Sequence, residues 1–375
     1  MALLGKNEQS QSYIIGERVT SIDFFRGLTM FLLIGESTEI YNHFNEIDNG
    51  LMHFLGAQFS HHEWHGLHFW DLIQPFFMFI VGVAIPFAVY NRTKKGATQK
   101  SILTHAVKRS FLLFLLGWAL YFRGSDHIVF RLQNVLAQLS VTYLVAFFIM
   151  RKSFSFQLIF TLVILLLTDL AYRFFPIEGY NHPWEAFHNL GAWVNTKIEG
   201  TNETSIWASL NAIPTIAHTV WGVLCGQLLM SNKTSKEKIQ RLVVFGVIAL
   251  AIGFSLDLLN ITPIIKKIAT ASFVFASGGW AILALAFSYW LIDVKKLFAK
   301  GSQIFIIVGM NCIFIYLLFS LNGAWILTEV FKPVVNTFFS WTGELMTKIL
   351  ISLSVWASLW YVCYWMFKNK IFIKI

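Results

Sequence analysis

Apolar runs of about twenty residues recur along the whole of this 375-residue chain. Coiled as an α-helix, a run of that length matches the ~30 Å hydrocarbon thickness of a bilayer. The candidate spans are 24–41, 70–91, 106–122, 132–150, 155–175, 206–230, 240–259, 269–292, 303–321 and 346–367. A further apolar and aromatic stretch, 324–341, is interrupted by Lys332 and Pro333, and reads as a re-entrant segment, an interfacial segment or an eleventh span. Inside a bilayer the backbone has no water to bond, so runs of this kind must satisfy themselves as helices. The expected fold is therefore an all-α polytopic membrane protein, a bundle of ten or eleven transmembrane helices. Composition agrees: 13% of the residues are charged, about half of the ~25% usual in soluble domains. A soluble enzyme, a nucleic-acid binder and a secreted disulfide scaffold all fit poorly.

The chain carries a net charge of +9, which in a soluble protein would suggest a nucleic-acid partner. Here its distribution reports topology instead. With the N-terminus inside, the inner loops and termini collect 21 of the 29 Lys and Arg, and only five of the 20 Asp and Glu. That asymmetry is the positive-inside pattern. It places both termini in the cytoplasm and turns the long polar loops 42–69 and 176–205 outward. The first twenty residues are polar, so no removable signal peptide is expected and the first span would serve as an uncleaved anchor. Residues 1–22 read as a cytoplasmic N-terminal segment and 23–375 as a single transmembrane domain. Cys225, Cys312 and Cys363 all fall inside apolar runs and offer neither a disulfide framework nor metal-ligand spacing.

Six of the eleven histidines lie between residues 43 and 68, in the outer loop that leads into the second span. If helical, this segment would place His61, His65 and His68 on one face at i, i+4 and i+7, a spacing suited to a transition metal. The zincin pattern is not met, because His62-Glu63 is followed by Trp64 and His65; no metal is expected. His61 has a sharper reading. It stands three residues before Trp64, with Gly66 and Asp71 following as the chain enters the membrane. An imidazole there can accept a proton near neutrality or carry an acyl group, and Asp71 could orient it, bind a substrate hydroxyl or end a helix.

Carboxylates within spans are costly and usually face a cavity or a partner. Glu36 and Glu39, three apart in the first span, share a helix face, and both cavity-lining and outward-snorkelling readings stay open. Arg26 at the inner end is either an anchor or an anion ligand. Arg123 and Arg131 sit outside against the charge rule, so phosphate or carboxylate binding is expected of them. Asn134, Gln138, Asn211, Asp257, Ser272 and Asn311 are further polar residues within spans, where such groups often only join helices.

Several segments, in order, resemble the heparan-α-glucosaminide N-acetyltransferase family, whose bacterial members are multi-span proteins. RVTSIDFFRGLTM (18–30) is similar to the family's Arg-x-x-Ser-x-Asp-x-x-Arg-Gly opening. HHEWHGLHFWDLIQPFFMFIVGVAIPFAV (61–89) looks like its His-x-x-Trp-x-Gly…Asp-Leu-x-x-Pro signature. RLQNVLAQLSVTYLV (131–145), LNAIPTIAHTVWGVLCGQLL (210–229), the stretch 272–294, VGMNCIFIYL (308–317) and the tail KNKIFIKI (368–375) follow.

The resemblance implies transfer of acetyl from acetyl-CoA to a glucosamine amine across the membrane. It also implies His61 and Asp71 as catalytic residues. Arg26, Arg131, Asn134 and Asn311 are then assigned to CoA, and Glu36, Trp64 and Arg123 to a sugar or glycan acceptor. Departures touch the acceptor and one phosphate ligand: Ala137-Gln138 stands where the family often has Gln-Arg. Glu36-Ser37 lies where some members have asparagine, and Phe319 near a later histidine of others. Family analogy allows a homodimer and places the protein in a bacterial inner membrane. Acyl transfer to an amine or hydroxyl of a glucosamine-type sugar on the outer face, with His61 as base or as acetyl carrier, is the primary expectation. Its rival is a proton-coupled sugar or amino-sugar transporter using Glu36, Glu39 and Asp257.

Overall fold

The structure, a computed structural model, describes residues 19–122, 128–199, 205–298 and 300–373. Within them the regular elements are all helical. In order they are α1 (Thr20–Ser37), α2 (Gly50–Gln58), α3 (Ile73–Lys94), α4 (Gln99–Ala119), α5 (Val135–Ile149), α6 (Phe154–Arg173), α7 (Leu190–Glu199) and α8 (Ile216–Met230). There follow α9 (Ser235–Leu258), α10 (Ala271–Ser288), α11 (Gln303–Gly309), α12 (Cys312–Ser320), α13 (Ala324–Phe339) and α14 (Glu344–Lys368). Short 3-10 turns precede α3, α8 and α10.

The helices begin where the side chains can cap them. Thr98, Asn134, Ser153, Thr234 and Thr270 each accept a hydrogen bond from a backbone N–H of the first turn of α4, α5, α6, α9 and α10. This removes one of the four orphan donors at each start. The first helix lacks a cap of its own; instead Asp293, far away in sequence, accepts the N–H groups of Thr20 and Ser21 at 3.0 Å each.

Each expected span falls on a helix or on the α11–α12 pair, with boundary corrections that have local causes. The 206–230 run becomes helical only at Ile216, after Pro214 and a 3-10 turn at Ser209–Ala212. The first helix stops at Ser37, and Glu39 turns the chain with φ +62°. The 303–321 run is broken: α11 and α12 meet at 71° about Met310-Asn311. Within the stretch 324–341, α13 runs unbroken through Pro333 to Phe339, and a 3-10 turn, Ser340–Thr342, follows. By length and apolar composition seven of the described helices are able to cross a membrane, or eight if the broken pair is one span. Helix α5 has 15 residues, short of the ~20 a straight span needs.

The bundle has an inner layer and a lipid-facing layer. Most of α3, α8 and α10 is buried, whereas α4, α6, α9 and α14 bury under a third of theirs. The outer face of α6 presents Ile159, Leu162, Val163, Leu166 and Leu167, which suits acyl chains and not water. Close approach in the inner layer depends on missing side chains. A Cβ on Gly82 of α3 would lie 2.0 Å from the Thr219 carbonyl oxygen of α8, and one on Gly222 of α8 2.1 Å from that of Phe79. Small residues let helix backbones meet in this way inside a membrane.

Candidate active site

Three segments distant in sequence converge beyond the ends of the inner helices. The 59–72 loop is tied to the 259–270 turn by Gly66 N–H donating to the Ile264 carbonyl at 2.9 Å. Ala208 N–H donates to the Lys267 carbonyl at 2.9 Å, which ties that turn to the stretch before α8. Trp64 reaches the segment between α6 and α7, its indole N–H donating to the Trp184 carbonyl at 2.7 Å. Gly66 adopts φ +146°, and a Cβ there would also strike the His62 ring. This explains a glycine at that point of the His-x-x-Trp-x-Gly pattern.

Asp71 organises the loop. It sits in the 3-10 turn Phe69–Leu72 with 1% of its surface exposed. Its Oδ2 accepts the backbone N–H groups of His68 (2.9 Å) and His62 (3.2 Å), which folds the chain back over it. Its Oδ1 faces His61 Nδ1 at 2.9 Å. A carboxylate can only accept, so this contact puts the proton on Nδ1 and leaves Nε2 as the basic nitrogen.

Lys266, from the 3-10 turn before α10, enters the same cluster. Its Nζ lies 3.1 Å from His61 Nδ1 and 3.5 Å from Asp71 Oδ1. The side chain is 7% exposed, and Asn211 fixes the turn by donating to the Lys267 carbonyl at 3.0 Å. The Trp207 ring closes the group, 5.5 Å from the His61 ring and 5.4 Å from Lys266 Nζ. Lys267 lies 5.8 Å from the same indole and donates to the Glu63 carbonyl. Burial and then the Lys266 charge hold His61 below the ordinary histidine value of 6.5, against the opposing pull of Asp71. Burial pushes Lys266 down to about 8, although Asp71 favours its charge.

This cluster borders a cavity of about 330 Å³, near the lower end of the ~300–1,000 Å³ usual for small-molecule sites. His61, Lys266 and Trp207 line it, with Glu36, Trp70, Gln74, Gln133, Asn134, Tyr121 and Tyr316 as its other polar groups. Met30, Leu33, Phe77 and Phe319 make its apolar wall. Glu36 Oε1 accepts the Trp70 indole N–H at 2.8 Å, so the first-span carboxylate is held at the cavity by the segment that carries Asp71.

The residues singled out from the sequence divide into two groups. His61, Glu36 and Asn134 reach the cavity, and Asp71 touches it through His61. The Asn134 amide is committed to the backbone, accepting from Ala137 N–H and donating to the Gly117 carbonyl. Arg26 lies at the other end of α1, bound to the Gly309 carbonyl (3.0 Å) and Asp23 (2.7 Å). Asn311 sits at the α11–α12 break and holds the tail through the Ile371 carbonyl and Ile373 N–H. Arg131 pairs with the buried Glu199 at 2.8 Å. Trp64 packs among Tyr172, Phe175, Trp184 and Trp193 rather than against the cavity. Arg123 and the Asn202-Glu203-Thr204 triplet lie outside the described residues.

The helical three-histidine face does not form, because 59–68 runs in bends around Asp71. His61 turns to Asp71, His65 to Asp257 (2.7 Å), and His68 to the Ser60 carbonyl (3.1 Å). Among the described residues no group of three His, Cys, Asp or Glu is placed to hold a metal ion.

Sequence reasoning passed over Lys266, although a signal existed. Lys266-Lys267 lies on the expected outer side, where basic residues have no topological role, as Arg123 and Arg131 do.

A second cluster, Ser352–His43–Glu46, shows hydrolase-like contacts of 3.3 and 2.8 Å. Its buried hydroxyl, however, donates to the Thr38 carbonyl at 2.6 Å. That proton is not offered to His43, and the cluster acts as a strut between α14 and the 38–49 segment.

Comparison with known proteins gives a consistent result. The family model described as heparan-alpha-glucosaminide N-acetyltransferase, catalytic, matches residues 18–256. The heparan-alpha-glucosaminide N-acetyltransferase of Mus musculus is 25% identical over 428 residues, with 96% of this chain and 60% of that protein covered. That of Homo sapiens is 24% identical over 440 residues with the same coverage. The chain thus spans about 60% of the length of these relatives.

Proposed function

The chain belongs to the heparan-alpha-glucosaminide N-acetyltransferase family, and on that premise we propose that it moves acetyl from acetyl-CoA to the amine of a glucosamine-type sugar, with His61 as the base. One observation carries the reading: a histidine with its Nδ1 proton held by a buried aspartate lines a cavity at the junction of bundle and loops. Residues 23–375 then form one acyltransferase domain in a bacterial inner membrane, with the loops that carry α2 and α7 facing outward.

The reaction needs an acceptor nitrogen held in line with the thioester carbon and a group to take its proton. In this reading the amine nitrogen attacks the carbonyl carbon and the π pair moves onto oxygen. His61 Nε2 takes the nitrogen's proton, and Asp71 steadies the resulting imidazolium. Collapse expels the CoA sulfur, which receives that proton from His61, leaving an N-acetyl sugar and free CoA. The acceptor enters as the neutral amine, having released its ammonium proton to solvent, and Glu36, at the cavity, suits a hydrogen bond from its N–H. The cavity accommodates the thioester end of the donor and part of a sugar, so the nucleotide end of CoA lies outside it. The transporter alternative loses one of its residues, since Asp257 is engaged by His65 and by Ile264 N–H.

The test is transfer of labelled acetyl from acetyl-CoA to glucosamine by protein in proteoliposomes, with His61→Ala as control. N-acetylglucosamine is expected from the wild type, with the rate about 10²–10⁴-fold lower in the variant. Sugar uptake without acetylation by the wild type would overturn the reading in favour of transport.

A further inference from the structure

We infer that Lys266 is a catalytic residue of this site, its ammonium donating a hydrogen bond to the thioester carbonyl oxygen as that oxygen becomes an oxyanion. The inference rests on the acetyltransferase reading above and adds to it the group that stabilises charge. The observations come from geometry. Acyl transfer requires a donor beside the reacting carbonyl as well as a base. Of the other polar groups bordering the cavity, the Asn134 amide and the Trp70 indole are already committed to partners. Gln74 donates to Gln138 at 2.6 Å. Gln133 donates to Glu199 at 2.8 Å, and the remaining donors, the Trp207 indole and the Tyr121 and Tyr316 hydroxyls that accept the N–H groups of Asn134 and Val135, carry no charge.

Lys266 is different. Among the described residues that line the cavity it is the one lysine or arginine, and it is placed beside the base. An ammonium has three protons to give. Asp71 Oδ1, 3.5 Å away, takes up one direction. His61 Nδ1 offers it no acceptor while that nitrogen holds its proton for Asp71, and among the described residues no further acceptor meets Nζ, so the remaining N–H bonds are available to a ligand in the cavity. A side chain that is 7% exposed, wedged against the Trp207 indole, is held with little freedom and little competing water. Such preorganised donors in a poorly hydrated site account for most of the stabilisation of developing charge. No proton leaves Lys266 in the cycle: it donates to the oxyanion, the carbonyl re-forms when the C–S bond breaks, and the hydrogen bond weakens again.

The same placement sets a pH window. The groups facing Lys266 are Asp71 and His61 from the 59–72 loop, Glu36 from α1 and Lys267 on its own turn. With its value near 8, Lys266 is an ammonium below that pH and loses its charge above it. Activity that depends on this charge falls as pH rises through about 8. Arginine stays charged at any pH a protein survives.

The experiment measures acetyl transfer to glucosamine from pH 5.5 to 9.5 for the wild type, Lys266→Met and Lys266→Arg, with melting temperature and acetyl-CoA affinity measured in parallel. Lys266→Met is expected to lower kcat about 10²–10³-fold, the effect of removing an oxyanion donor, with acetyl-CoA affinity changed less than threefold. Lys266→Arg is expected to keep part of the rate and to lose the alkaline fall near pH 8. A merely structural lysine would instead leave that fall in place in the arginine variant. Wild-type transfer with Lys266→Met within threefold of it, or an unchanged alkaline limb in Lys266→Arg, overturns the assignment alone. Absence of transfer by the wild type overturns the acetyltransferase reading and this one with it. If the methionine variant does not fold, the arginine variant still decides the question.

Discussion

At the residue scale, the pairing of His61 with Asp71 and Lys266 makes the electrostatics of one imidazole measurable. Burial and Lys266 lower the His61 value while Asp71 raises it. The neutral base therefore persists below pH 6.5, and activity is lost only as pH falls further. Substituting either neighbour moves that acid limb in a known direction. Asp71→Asn removes a charge that favours imidazolium, so the limb shifts to lower pH. Lys266→Met removes one that disfavours it, so the limb shifts up. Asp71→Asn also offers Nδ1 an amide donor in place of an acceptor, which favours the tautomer with its proton on Nε2. We expect kcat to fall by about 10²–10⁴-fold. A pH profile of both variants checks this; shifts of the same sign would refute the arrangement.

At the element scale, the link between α7 and the start of α5 depends on one ion pair. Glu199 has its side chain fully enclosed, and Arg131 supplies its charge partner at 2.8 Å while Gln133 donates at 2.8 Å. Burial raises the Glu199 carboxyl above its ordinary value, with Arg131 pulling it back down. Arg131→Ala leaves a buried acceptor short of its partner, which costs about 1–3 kcal/mol. A lower melting temperature is expected, and Arg131→Ala/Glu199→Gln should recover part of it. The alternative from sequence, in which Arg131 binds CoA phosphate, requires the opposite signature: an unchanged melting temperature and weakened acetyl-CoA binding. A thermal melt titrated with acetyl-CoA distinguishes the two.

At the scale of the whole molecule, the side the site faces is proposed from charge asymmetry alone. The proposed orientation puts α2 outside and the α8–α9 turn inside. Leu51, 61% exposed on α2, and Lys236 on the first turn of α9 therefore report opposite faces. A membrane-impermeant maleimide is expected to label Leu51→Cys in intact cells and Lys236→Cys only after lysis, judged against the unlabelled wild type. The reverse pattern would invert the bundle. A site facing outward also requires the thioester of a cytoplasmic donor to reach through the helices. The apolar cavity wall at Met30, Leu33 and Phe77, contributed by α1 and α3, lies on the bundle side of His61.

The sequence by itself determined the helical class, the membrane environment and the family, because each is written locally. An apolar run of bilayer length can only be a helix, loop charge is counted without knowing contacts, and the His61–Asp71 signature lies within eleven consecutive residues. The expected starts lie close to those of α3, α6 and α10, whereas α4 begins at Gln99, ahead of the run at 106, and α8 only at Ile216, well after 206. Only the tertiary structure decided which polar residues share a cavity. The 71° break at Asn311, the tail it holds and the commitment of Arg131 to Glu199 depend on partners about 60 to 70 positions away. Lys266 lies 205 positions from the histidine it meets. Spacing within a helix or loop constrains neighbours along the chain and says nothing about a side chain that another helix brings in. A buried lysine between a histidine and an aspartate arises only when the bundle closes.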